Sequence, residues 1–413
     1  MCAVGCTGPR NASQCGVPGT GSTQGTSIVT TSNTSTSSVR LPWADATRAA
    51  GVIAVVVFHV LIWIHDPVFG TETAAGPLLS RVNALLGTLR MPVLFALAGI
   101  LASPSLIRGG DARKALSRSV SSYYLYVVWL LIYLLVFLLV GTAGSPHYFD
   151  SLNGFLTQLV VPDTTLWFIF ALAVYIPVVL AARAVRLPPP VLLVLAVVVW
   201  FVLQSEGDGS LLERCAEHFV FFASGVFGAA TLRRAAVAPL WLAGLFSAVF
   251  LALMVLRTTD IGAQNDALEF LSSLASIPAM AAVAHQLCRI APVARAAGFI
   301  GARTLPVYVL HPVVIVCILA VGRQEALGPL VGSFVVDALY PVVLSAAVII
   351  VCLTAENLLV RIPGNPLFAL PESVRRRIVH SHPQNGDQRS STSGTQSRNP
   401  RGRAISPLRR PRS

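Results

Sequence analysis

Charge is scarce in this chain. Charged residues occupy 12% of 413 positions, lysine occurs once, at Lys114, and Asp and Glu together number eighteen. A soluble domain carries about 25% charged residues. Set beside 54% hydrophobic residues and a mean hydropathy of +0.70, the shortage excludes a large soluble core. Cysteine is similarly uninformative: Cys2, Cys6 and Cys15 are irregularly spaced, and Cys215, Cys288, Cys317 and Cys352 fall in or beside apolar runs. No C-x2-C pair occurs, so no metal site is expected and the thiols read as small apolar side chains. The chain also lacks a phosphate-binding glycine loop, a nucleophile elbow and an internal repeat.

Long apolar runs are what it has instead. Segments of about 17 to 25 apolar residues are long enough to cross a bilayer. About ten are readable, near 49–65, 84–103, 122–141, 164–182, 188–204, 217–232, 238–256, 267–288, 304–321 and 334–360. The expectation is an all-α polytopic membrane bundle of about ten helices. The first 40 residues show no apolar stretch with a cleavage site, so no cleaved signal peptide is expected.

Basic residues give the orientation, because Lys and Arg concentrate on the cytoplasmic side. With both termini inside, the cytoplasmic loops hold Arg108, Arg113, Lys114 and Arg118, then Arg183 and Arg186, Arg233 and Arg234, and Arg289, Arg295 and Arg303. The external loops hold Arg81, Arg214, Arg257 and Arg323. Much of the net charge of +12 lies in Arg361, Arg375, Arg376, Arg377 and seven later arginines. That pattern points to topology and anionic lipid rather than nucleic acid. Residues 1–40 read as a disordered cytoplasmic tail, 41–362 as the transmembrane domain, and 363–413 as a basic cytoplasmic tail, disordered from about 381. The chain is expected in the plasma membrane.

Against this apolar background a few polar residues stand out, since an ionisable group inside a span is a functional candidate by default. DATRAAGVIAVVVFH carries Arg48 and His59 in the first run. Eleven positions make three turns plus about 20°, so the two share a face, with His59 about 16 Å deeper. LRMPVLFALAGILAS places Arg90 in the second run, either partnered inside or snorkelling to the outer interface. The basic loop with Arg113, Lys114 and Arg118 serves topology, or holds the phosphates of a charged ligand. GARTLPVYVLHPVVIV puts His311 at a depth close to that of His59, with Tyr308 one turn before it and Thr304 seven residues before. A lone histidine there can instead simply bond a neighbouring carbonyl. Trp167, in DTTLWFIFALAVY, is a site residue or an interfacial belt aromatic.

Together these segments resemble the membrane-bound acyltransferase family 3. DATRAAGVIAVVVFH is similar to the family's opening signature, with an Asp, an Arg and a His eleven residues after that Arg. LRMPVLFALAG, the basic loop ending at Arg118 and Tyr123, LWFIFAL and GARTLPVYVLH resemble its later segments in order. Ser122, Thr304 and the single Phe95 depart from the usual residues. The likeness covers about residues 41–360 and implies the form without an SGNH-type hydrolase domain. It also implies an acyl-CoA-dependent O-acyltransferase, with acyl-CoA as co-substrate and an envelope carbohydrate, glycolipid or related acceptor.

An alcohol attacks a thioester poorly until a base takes its proton, and an imidazole suits that work. His59 is thus the expected base. Arg48 would pair with a phosphate or pantetheine oxygen, and Arg113, Lys114 and Arg118 would reach the nucleotide end. His311 and Arg90 would orient the acceptor or stabilise the oxyanion, and Trp167 and Tyr308 would bind substrate. A transporter or flippase is the competing class, because intramembrane charges also line solute pathways. A scaffold acting through the basic tail is a third reading.

Overall fold

The computed structural model describes residues 41–69, 73–107, 109–140, 147–207, 209–259, 265–321 and 333–375. The tail expected at 1–40 and the stretch expected to be disordered from about 381 lie outside the described residues, as does Arg323. In chain order the elements begin with α1 (Pro42–Val60), which continues through a π turn (Leu61–His65) into α2 (Asp66–Phe69). Next come α3 (Gly76–Leu106), α4 (Ala112–Val140), α5 (Leu152–Gln158), α6 (Trp167–Ala184), α7 (Pro189–Glu206) and α8 (Leu211–Phe227). The chain ends with α9 (Ala229–Ala236), α10 (Leu240–Leu256), α11 (Asp266–Leu287), α12 (Ala291–Gly301), α13 (Thr304–Val321) and α14 (Phe334–Leu359). No strand occurs among the described residues.

Local chemistry sets many of the helix starts. Pro42 and Pro189 stand in the first turns of α1 and α7, where a missing N–H costs nothing. Ser151, Ser210 and Asn265 cap α5, α8 and α11 by accepting from Gly154 N, Glu213 N and Leu268 N.

The expected count of about ten spans is matched in part. Eight helices among the described residues are long and apolar enough to cross a membrane, or up to nine if one bent pair counts as a single span. The run at 217–232 belongs to that pair, α8 and α9, which bend by 81°. The run at 238–256 forms α10, a helix of 17 residues, which at 1.5 Å per residue spans about 26 Å. That length is the lower limit of the roughly 17 to 25 residues a span needs, one residue shorter than α6, α7 and α13.

Two contacts hold the centre of the bundle. Gly99 of α3 and Gly225 of α8 face each other so closely that a Cβ on either would collide with backbone of the other helix, at Phe222 and at Ala96 respectively. Small residues permit this approach where apolar lipid gives helices little reason to associate. Ser103 Oγ then donates to Val226 O at 2.7 Å, so α3 and α8 run in the same direction. Nearby, Trp129, Tyr126, Phe95, Phe221 and Phe222 are the largest fully buried side chains.

The basic residues knit one end. Arg118 Nη1 donates to Leu101 O at 3.2 Å and Arg233 Nη2 to Ile100 O at 3.1 Å, both near the C-terminal, electronegative end of α3. Arg183 Nη1 donates to Gly110 O at 3.2 Å. At this end Arg303 also pairs with Glu356 at 3.3 Å. The segment after α14 folds back onto α4, where Trp129 Nε1 donates to Leu367 O at 2.7 Å.

Candidate functional site

A cavity of about 690 Å³ opens at the other end of the bundle. Its wall includes Gly87 and Thr88 from α3, Ser210 and Arg214 at the start of α8, and Glu269 at the start of α11. Two of these stretches, those of α3 and α11, are tied together by Arg257, which donates to Thr88 Oγ1 and to Glu269 Oε2, each at 2.9 Å.

His59 lines this cavity from α1. Its Nδ1 lies 2.8 Å from Val55 O and 3.2 Å from Nε2 of His311, 252 residues away. His311 is fully buried and its own Nδ1 lies 3.1 Å from Val307 O. A carbonyl can only accept, so each Nδ1 facing one carries the hydrogen. His311 is thereby left with a bare Nε2, which accepts from His59 Nδ1–H. The pair leaves His59 Nε2 with a free lone pair, on a ring that borders the cavity. The carbonyl bond considered for His311 from sequence is present, and it fixes the tautomer of the neighbouring ring.

Around His59 the wall is aromatic. The Trp63 ring lies 4.6 Å away and Phe58 5.2 Å. Arg90 sits with its guanidinium carbon 3.4 Å above the Phe58 ring, a cation–π contact inside the protein. Its Nη1 is buried and has no hydrogen-bond partner. Arg90 therefore does not snorkel; its guanidinium lies inside the protein, on a residue that lines the cavity. Trp167 and Tyr308 line the same space. Trp167 stacks near Phe95 at 5.6 Å and His218 at 5.4 Å, and the Tyr308 hydroxyl donates to Thr165 O.

Five of the residues singled out from sequence thus converge: His59, Arg90, Trp167 and Tyr308 on the wall and His311 directly behind it. The other four lie elsewhere. Arg48 pairs with Asp45 at 3.1 Å, one turn earlier on α1, and is not on the cavity wall. Arg113 and Lys114 are exposed on the first turn of α4, where their backbone N–H groups donate to Asp111 Oδ1. Arg118 is also exposed and reaches the end of α3. These cations gather where α1 and α4 begin, about 16 Å along α1 from His59.

The cavity recruits residues that the sequence analysis passed over. Arg214, Glu217 and His218 lie on its wall from α8, and the rule that flagged Arg48 and His59 applies equally to these ionisable groups in an apolar helix. His218 Nδ1 donates to Arg214 O at 2.8 Å. His147 and Asp163, paired at 3.4 Å, come from the segment between α4 and α6. Nothing in the local sequence distinguishes them from ordinary loop residues. No cluster of three or more metal-ligating side chains occurs among the described residues.

A family model described as an acyltransferase domain matches residues 41–356. No curated protein and no solved structure matches the chain.

Proposed function

Because the chain belongs to the acyltransferase 3 family and carries at least eight apolar helices of membrane-crossing length, we propose that it transfers an acyl group from acyl-CoA to a hydroxyl of an envelope carbohydrate, glycolipid or related acceptor, in the plasma membrane with both termini cytoplasmic. The observation that supports this most directly is the His59–His311 pair on the cavity wall. A hydroxyl proton passes to His59 Nε2 as the oxygen attacks the thioester carbonyl. Collapse of the adduct breaks the C–S bond, and the leaving thiolate takes the proton back from His59. The products are the ester and free CoA. The Arg90 guanidinium, on a residue that lines the cavity, serves the carbonyl oxygen as negative charge develops on it. Trp167 and Tyr308 border the space for the acceptor. Arg48, Arg113, Lys114 and Arg118 take the phosphates of CoA at the basic end, and the pantetheine arm carries the thioester inward to His59.

Isotope-labelled acyl-CoA supplied to membranes containing the protein tests this reading. Covalent label in envelope glycan or lipid is the expected result; movement of a solute without covalent label would identify a transporter instead.

His311 acts through His59 and is a positioning residue. His311→Leu removes one of the two acceptors of His59 Nδ1–H, leaving Val55 O, and should lower kcat by about 10-fold, the lower end of the cost of losing a group that orients a metal-bound imidazole, with KM for acyl-CoA little changed. His311→Gln supplies a carbonyl oxygen at a similar distance and should recover part of the loss. Equal defects in the two variants, or a change confined to KM, would remove this role.

A further inference from the structure

Beside the main cavity lies a second, much smaller one of about 10 Å³. It shares Trp63, His147 and Thr165 with the main wall, so it begins one ring beyond His59. Its remaining boundary is made by Tyr133, Val136 and Phe137 of α4 and Pro312, Val313 and Val316 of α13, with Thr164. The volume is close to the roughly 10–15 Å³ needed to admit a single water-sized group.

We propose that this side pocket receives the acyl group and restricts the enzyme to a short, uncharged one, of two carbons. The proposal rests on the acyl-CoA reading above and names the donor class within it. Three observations carry it. The pocket adjoins His59 on the side away from Arg48, which is where the acyl end points when the thioester arrives from the basic end of α1. Its walls are fixed: Val316 is 3% exposed and Phe137 5% exposed, and Phe137 is wedged against Tyr148 and Phe149 with ring centroids 5.3 Å and 5.6 Å away. Each added methylene must therefore displace packed side chains. Finally, most of the wall is apolar, from Val136, Phe137, Pro312, Val313 and Val316, and the Tyr133 hydroxyl donates to Val309 O at 3.0 Å and lies 3.3 Å from Thr165 Oγ1. The carboxylate of a dicarboxylic acyl group would need at least two further carbons in a space that admits about one water-sized group.

Val316 is the residue to change, because it bounds the pocket and lies outside the proposed transfer machinery. Membrane vesicles bearing the full chain are supplied with radiolabelled acetyl-CoA, butyryl-CoA or succinyl-CoA, and label in envelope material is counted. One methylene too many in an apolar pocket is worth roughly tenfold or more, so acetyl transfer should exceed butyryl transfer by about a hundredfold, with succinyl at background. Val316→Ala should raise the butyryl-to-acetyl ratio at least roughly tenfold by the same argument. Val316→Phe should suppress acetyl transfer. If Val316→Ala does not accumulate in membranes, Val313→Ala opens the same pocket. Equal use of butyryl and acetyl groups by the parent, efficient succinyl transfer, or a ratio unmoved by these variants would overturn the pocket assignment and leave the acyltransferase reading standing. Absence of label from all three donors would instead bring down the acyl-CoA reading, and this inference with it.

Discussion

His59→Ala should reduce acyl transfer by about 10²- to 10⁴-fold, the contribution of a positioned general base, without loss of folded protein. The ring stands at a cavity wall with partial exposure, so its removal enlarges a space that already exists. Only two contacts of its imidazole are hydrogen bonds, to Val55 O and His311. The measurement is initial-rate incorporation of label from acyl-CoA, alongside membrane abundance and thermal unfolding in detergent. The defect should fall on kcat, because in the proposed reaction His59 meets the reacting hydroxyl and thioester and not the CoA phosphates. A well-folded His59→Ala protein with near-normal kcat would move the base to another residue. His218 would be the next choice, since it borders the same cavity.

Asp337→Ala should produce the largest loss of stability, about 1–3 kcal/mol, the usual cost of leaving a buried hydrogen-bonding group without its partner. Asp337 and His65 are each 1% exposed. One carboxylate oxygen lies 3.0 Å from His65 Nε2 and the other accepts from Ala75 N at 2.7 Å. Asp337 on α14 thus ties the end of the α1 π turn to the start of α3. The variant strips an acceptor from Ala75 N–H in a site closed to water, and unsatisfied buried donors are costly. His65 retains a contact with Asp66 Oδ1 at 3.2 Å, which limits the damage on its side. A lowered unfolding midpoint in detergent is the expected readout, with Asp337→Asn intermediate because its carboxamide oxygen still accepts one bond. If Asp337→Ala melts with the parent protein, the three-way contact does not hold these helices.

How much of this was legible beforehand differs from residue to residue. Arg48 and His59 do lie on one helix, as their spacing implies, but only His59 reaches the cavity. Helical periodicity places two residues on a common face; it does not say how far along that face a cavity extends. Arg90, Trp167 and Tyr308 are each ambiguous alone, because an interfacial or packing role explains every one of them. The structure adds that all three line one cavity. Arg214, Glu217 and His218 were detectable by the same logic as His59 and were missed because no motif drew attention to them. His147 and Asp163 were not detectable, since the path of the segment between α4 and α6 sets their position. The bend within one expected span was hidden for a related reason. Hydropathy registers an apolar run and is blind to the 81° bend between α8 and α9.

The sequence by itself determined the helical membrane class, the capped starts of several helices, the concentration of arginine at one end and the family resemblance. These depend on composition and on contacts within about one helical turn. Only the tertiary structure decided that His311 stands behind His59, that Arg90 turns inward over Phe58, and that a narrow apolar pocket lies one ring beyond His59. Those features arise where separate helices meet, and their geometry depends on how closely the backbones approach, as at Gly99 and Gly225. A helix's own sequence specifies its faces, but which neighbour each face meets is settled by packing the whole bundle at once.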